Sequence, residues 1–112
     1  MNRKATKVNI LGTEISIAYK TQDEDTKLYS CDGYADSTTN SIVVRDYKKS
    51  KDPMMMEKPE VYTNKVLRHE CVHLFFSQSG LDHLSGNEEV VDWIAIQFPK
   101  LYKAFNELGC LN

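Results

Sequence analysis

The sequence predicts an α+β domain: a small, antiparallel-rich sheet of about four strands, followed by helices. Three observations carry that prediction. Apolar and polar residues alternate in the first half of the chain, the apolar period lengthens to that of a helix from about Val61, and turn residues punctuate both stretches. A length of 112 residues with no Gly/Ser-rich or Pro-rich boundary fits one domain, residues 1–112.

The elements follow in order. In "KVNILGTEISIAYK", Val8 and Ile10 precede Gly12 while Ile15 and Ile17 follow it in alternation, which predicts a hairpin turning at "LGT". An acidic stretch, "QDEDTK", leads to "CDGYADSTTNSIVVRD", where "DG" and "TN" signal turns. Ile42, Val43 and Val44 form a β-branched run. Two more short strands are expected there, the second at 41 to 46, and that strand is read as the sheet edge. "YKKSKDPMMMEKPE", charged and interrupted by two prolines, reads as a loop in which one or two of Met54, Met55 and Met56 fill a gap in the core.

Val66, Leu67, Val72, Leu74 and Phe75 then recur at helical spacing up to Gly80, a C-terminal cap signal. A second helix is expected from near Asn87 through Val91, Ile94, Ala95 and Phe98. Pro99 ends it or opens a short C-terminal helix, "KLYKAFNELG", which Gly109 closes. Trp93 is expected to pack between the second helix and the sheet.

Composition excludes several classes of function. Fourteen lysines and arginines against sixteen acidic residues give a formal net charge of -2, so no basic field attracts nucleic acid. "MNRKATKV" begins with basic residues, but no apolar h-region follows, and no apolar run approaches the length of a membrane span. Cys31, Cys71 and Cys110 are an odd number without a CxxC pair, which fits free thiols in a reducing cytoplasm.

The chemistry concentrates in "RHECVH". Positions i and i+4 share a helix face, so His69 and His73 can aim a ring nitrogen at one point, as a metal ion requires. Zinc takes imidazole nitrogen at about 2.0 to 2.1 Å, and catalytic sites keep three protein ligands and one open position. Glu70 lies about 100° further around the helix, where its carboxylate reaches the activated water rather than the metal. There it acts as general base and later as the acid that protonates the leaving amine. The bland alternative is an amphipathic helix whose histidines only hydrogen-bond. Cys71, about 200° from His69, should pack in the core.

A third ligand is offered by "GNEEVVDW". Glu88 and Asp92 share a face, so Glu88 can ligate while Asp92 accepts a hydrogen bond from the far ring nitrogen of His69 or His73. Ser85-Gly86-Asn87-Glu88 also fits a capping box, which would give Glu88 a purely structural task. Glu89 is the reserve ligand and His83 a further alternative. Tyr47, Tyr62 and Tyr102 are all candidates to donate to a developing oxyanion, and the sequence does not choose among them.

With "HECVH" followed by "NEEVVD", the chain resembles the zincin metallopeptidases of the gluzincin type, whose second helix carries Asn-Glu-x-x-x-Asp, matched by Asn87, Glu88 and Asp92. The stretch from about 66 to 98 also resembles small phage- and prophage-encoded zincins related in style to the ImmA/IrrE group. The resemblance implies a minimal zincin-like fold in the cytoplasm of a bacterial host, with zinc held by His69, His73 and Glu88. It further implies peptide-bond hydrolysis with Glu70 as base, and a protein substrate such as a repressor from the same mobile element. A metzincin is disfavoured, because Phe76 and Ser79 stand where its glycine and third histidine belong. Only 14 residues separate His73 from Glu88, and the larger substrate-binding regions of the family are missing. That feature favours the rival reading, a zinc-stabilised protein-binding module without catalysis. Glu70 favours the enzyme, since a structural zinc site needs no base.

Overall fold

The computed structural model describes residues 6–48 and 57–112. Strand β1 (Lys7–Ile10) turns into β2 (Thr13–Lys20), a 3-10 turn (Thr26–Tyr29) leads to β3 (Gly33–Asp36), and β4 (Ser41–Arg45) completes the sheet. Helices α1 (Pro59–Gln78), α2 (Asp82–Ser85) and α3 (Glu88–Leu108) follow. The class is α+β with a four-stranded mixed sheet and three helices. The three-methionine stretch and the basic N-terminus lie outside the described residues. No helix among the described residues is long and apolar enough to cross a membrane. The three cysteines are free.

The first hairpin turns on Leu11 and Gly12, whose φ values of 50° and 91° are both positive, as a two-residue type I′ loop requires. Gly12 donates its amide to Asn9 Oδ1 at 2.8 Å, which closes the turn and fixes the register Ile10 to Thr13.

The strand order is β1-β2-β4-β3, with β4 parallel to β2 and antiparallel to β3. This corrects the edge assigned to strand 41 to 46: β4 is paired on both sides, and β3 is the edge. The physical reason is long-range: β2 pairs with β4 in parallel from Ser16 to Lys20 and takes the side that β3 leaves free. Ile42, Val43 and Val44 are all buried, and successive residues of a strand face opposite ways, so β4 is also covered on both faces.

Ile10, Ile15, Ile17, Ile42 and Val44 supply the sheet side of the core, and Val66 and Leu74 of α1 close it. Gly33 lets the two layers meet. A β-carbon there would stand 2.9 Å from Val66 Cγ1 and from the Val43 carbonyl oxygen, so only glycine allows α1 to lie this close to the edge strand. Thr13 donates its hydroxyl to Gln78 Oε1 at 2.9 Å and ties the end of α1 back to the hairpin. Gly80, with φ at 84°, takes the chain out of α1.

Two expectations for α3 are corrected. Pro99 neither ends the helix nor opens another, because α3 runs unbroken to Leu108 and is capped by Gly109 at φ 65°. A proline at 99 has no amide to give the carbonyl of Ala95, four residues back. Arg68 on α1 fills that gap: its Nε donates to the Ala95 carbonyl at 2.6 Å. Trp93 does not pack against the sheet but is 63% exposed. It lies two residues from Val91 and from Ala95, both fully buried, and two residues on a helix is about 200°, so it faces away from them.

Candidate metal centre

On α1 the residues that face the sheet are Thr63, Val66, Glu70 and Leu74, spaced three or four apart. A glutamate thus occupies a position on the inner stripe that core packing would give to an aliphatic residue. His69 and His73 lie beside that stripe, both partly buried, and face α3.

The first turn of α3 brings Glu88 across them. Its Oε2 is 2.9 Å from His69 Nε2, its Oε1 is 2.9 Å from His73 Nε2, and the two ring nitrogens are 3.3 Å apart. His69, His73 and Glu88 thus offer donor atoms close enough together to hold a metal ion. Zinc bonds of about 2.0 to 2.1 Å in a tetrahedron place neighbouring ligand atoms about 3.3 Å apart, and the two ring nitrogens stand at that separation. The Glu88 side chain is 69% exposed, which leaves one side of the triangle open to solvent.

Asp92, one turn further along α3, takes the other nitrogen of His69: Nδ1 to Oδ1 is 3.1 Å. Lys65 also reaches Asp92, at 3.4 Å. Partial burial pushes the Asp92 carboxyl up, but the His69 hydrogen bond and Lys65 outweigh it and hold the group below its ordinary value.

Glu70 is 8% exposed and lines the same cleft as the donor triangle. Burial pushes its carboxyl above the usual glutamate value, His69 and His73 pull the other way, and Glu88 adds to the rise. A buried carboxylate costs several kcal/mol unless it is compensated, so its retention on the inner face of α1 points to a task other than packing.

The alternative ligands are not brought in. Glu89 and His83 are exposed and stand outside both the donor group and the cleft. The capping-box reading of Glu88 is corrected as well. The cap of α3 is Asn87, whose side chain accepts from the Val90 amide at 3.1 Å, so Glu88 is the first helical residue and its side chain is free to turn to the histidines. Cys71 is partly buried against the core, and burial pushes its thiol up.

The cleft has a volume of about 540 Å³ and runs between α1 and β3, with Asp32, Gly33, Tyr34 and Ala35 on one wall and His69, Glu70 and His73 on the other. Sequence reasoning passed over Asp32. Its carboxylate accepts the hydroxyls of both Tyr47 and Tyr62, and so pins the start of β3 to the segment after β4 and to α1. Tyr62 lines the cleft, yet that hydrogen bond commits its proton and pushes its phenol up to about 12. Tyr34, also in the cleft wall, is committed to Asp25 in the same way and is likewise pushed up to about 12. Tyr102 is exposed on α3, outside the cleft. The signal in the sequence was weak: Asp32, Tyr47 and Tyr62, each on a different stretch of the chain, meet only in the fold.

Compared with known proteins, the chain matches no family model, no curated protein and no solved structure. The case for function therefore rests on the cleft itself.

Proposed function

We propose that this chain is a zinc-dependent endopeptidase of minimal zincin-like architecture, with His69, His73 and Glu88 as ligands and Glu70 as the proton carrier. The observation that carries the reading is the conjunction of Glu70, buried in the cleft wall, with a three-donor triangle that stays open on one side. A structural zinc is normally closed by four protein ligands and has no use for a buried carboxylate at its edge. Bound zinc supplies a Lewis acid that acidifies water and polarises the scissile carbonyl. Glu70 accepts a proton from the attacking water as the O–C bond forms, and passes it to the amide nitrogen as the C–N bond breaks. Its raised affinity for a proton suits both halves of that transfer. Asp92 holds the His69 ring in place from α3.

An extended substrate has one natural place to lie. The outer edge of β3 carries no strand among the described residues, and β3 forms the wall opposite His69 and Glu70. Main-chain hydrogen bonds along that edge would align a scissile carbonyl with the donor triangle. A domain this small offers few other contacts, so the reading expects a specific protein substrate, such as a repressor from the same mobile element, and weak general proteolysis. The test is to incubate zinc-loaded wild type and Glu70→Gln with a proteome-derived peptide library and with proteins encoded by neighbouring genes, then to read new termini by mass spectrometry. Cleavage by wild type alone is expected. Cleavage that survives in Glu70→Gln overturns the assigned role, and zinc-dependent binding without any cleavage returns the chain to the non-catalytic binding module.

A further inference from the structure

The His73 ring has a partner of its own, on an element with no other evident task. Ser85, the last residue of α2, places its Oγ 3.1 Å from the His73 carbonyl oxygen and 3.3 Å from His73 Nδ1. A serine hydroxyl has one proton and two lone pairs. The carbonyl can only accept, so the proton goes there, and a lone pair of Oγ is left facing Nδ1. That contact is satisfied only if Nδ1 carries hydrogen. The resulting tautomer leaves the Nε2 lone pair free, and Nε2 is the atom that sits 2.9 Å from Glu88 Oε1 and 3.3 Å from His69 Nε2.

We infer that Ser85 is the positioning residue for His73, fixing its tautomer and ring plane for metal binding as Asp92 does for His69; the inference rests on the metal reading above. The two imidazoles are thus steered from two different elements, His69 by α3 and His73 by α2. This accounts for the path between the long helices. After Gly80, Leu81 returns its amide to the Phe76 carbonyl at 2.8 Å, and one turn of helix carries Ser85 back against the turn of α1 that holds His73. Asn87 then starts α3 at once, with Glu88 as its first residue. Where Asp92 accepts the His69 ring proton with a carboxylate, Ser85 accepts that of His73 with a neutral hydroxyl.

The experiment compares wild type, Ser85→Ala and Ser85→Thr, using zinc alone as the probe. Zinc affinity is measured by competition with a chromophoric chelator, and the ring N–H protons of zinc-loaded protein are read by proton–nitrogen correlation spectroscopy. Removing such an outer partner lowers metal affinity by about 10- to 100-fold. We expect that loss in Ser85→Ala, together with selective disappearance of the His73 Nδ1–H signal into solvent exchange, while the His69 signal held by Asp92 persists. Ser85→Thr, which keeps the hydroxyl, should restore both. A serine that merely fastens α2 to α1 would behave otherwise: its loss would weaken both ring signals together. That outcome, an intact His73 signal in Ser85→Ala, or affinity equal to wild type overturns the inference and leaves the metal reading standing. A wild type that takes up no zinc overturns both.

Discussion

The two halves of α3 are one continuous helix with opposite circumstances. In the first half, Val91 and Ala95 are completely buried, Glu88 and Asp92 meet the histidines, and Arg68 reaches across to the Ala95 carbonyl. In the second half, Phe98, Leu101 and Tyr102 are about half exposed and Leu108 is 73% exposed. The apolar stripe that starts with Val91 and Ile94 continues through Phe98, Leu101, Phe105 and Leu108 at the same spacing, past the point where α1 stops meeting it. Helical pattern alone therefore does not say where a helix is anchored. The first two turns of α3 owe their stability to α1 and carry the site, while the last three are held by local terms such as the Gly109 cap and the Lys103–Glu107 pair.

The sharpest way to break this contrast is at its first residues. Glu88→Gln and Glu89→Gln lose the same small interaction with the helix N-terminus, a few tenths of a kcal/mol, but only Glu88 faces the histidines. Zinc affinity should fall by more than about 100-fold in Glu88→Gln and stay near wild type in Glu89→Gln, as measured by chelator competition. Equal behaviour of the two would remove Glu88 from the site.

Next in size is the packing contrast. Val91→Ala opens a void against α1 and should cost about 1–3 kcal/mol in urea unfolding. Leu108→Ala should stay within about 0.5 kcal/mol of wild type, because its side chain is already in water. A large loss from Leu108→Ala would mean that the second half is anchored after all.

The junction gives an effect of comparable size that is more specific. Arg68→Ala leaves the Ala95 carbonyl without a donor and should cost about 1–3 kcal/mol. In a Pro99→Ala background, residue 99 regains an amide for that carbonyl, and the cost of Arg68→Ala should shrink. A double-mutant cycle measures the coupling directly, and additive effects would refute the compensation.

The smallest effect concerns acid. Asp92 is held below its ordinary 3.8, so its stabilisation is complete above that value and is lost as pH falls through the lower, folded value. Urea midpoints of wild type should therefore drop more steeply than those of Asp92→Asn as pH is lowered from about 4. Since Asp92 is partly exposed, the difference should be modest.

Much of this was legible in the residues, for local reasons. The hairpin at Gly12, the run at Ile42–Val44, the helix carrying His69 and His73, and the Gly80 and Gly109 stops are all written in neighbouring side chains and turn chemistry. The parts that escaped depend on residues far apart in sequence. Whether β4 is an edge depends on β2 reaching it in parallel from across the 3-10 turn. The fate of Pro99 depends on Arg68, and the commitments of Tyr47 and Tyr62 depend on Asp32. Trp93 is different: its exposure followed from its angular distance to Val91 and Ala95, and the expectation of burial gave aromatic size more weight than helix phase.

The central claim is that His69, His73 and Glu88 form a metal site with Glu70 beside it rather than in it. Metal content of protein purified without chelator tests this most directly, by elemental analysis of wild type, His69→Ala, His73→Ala and Glu70→Gln. The account predicts one zinc per chain in wild type and in Glu70→Gln, and none in either histidine variant. A wild type without stoichiometric metal, or histidine variants that keep it, would contradict the account.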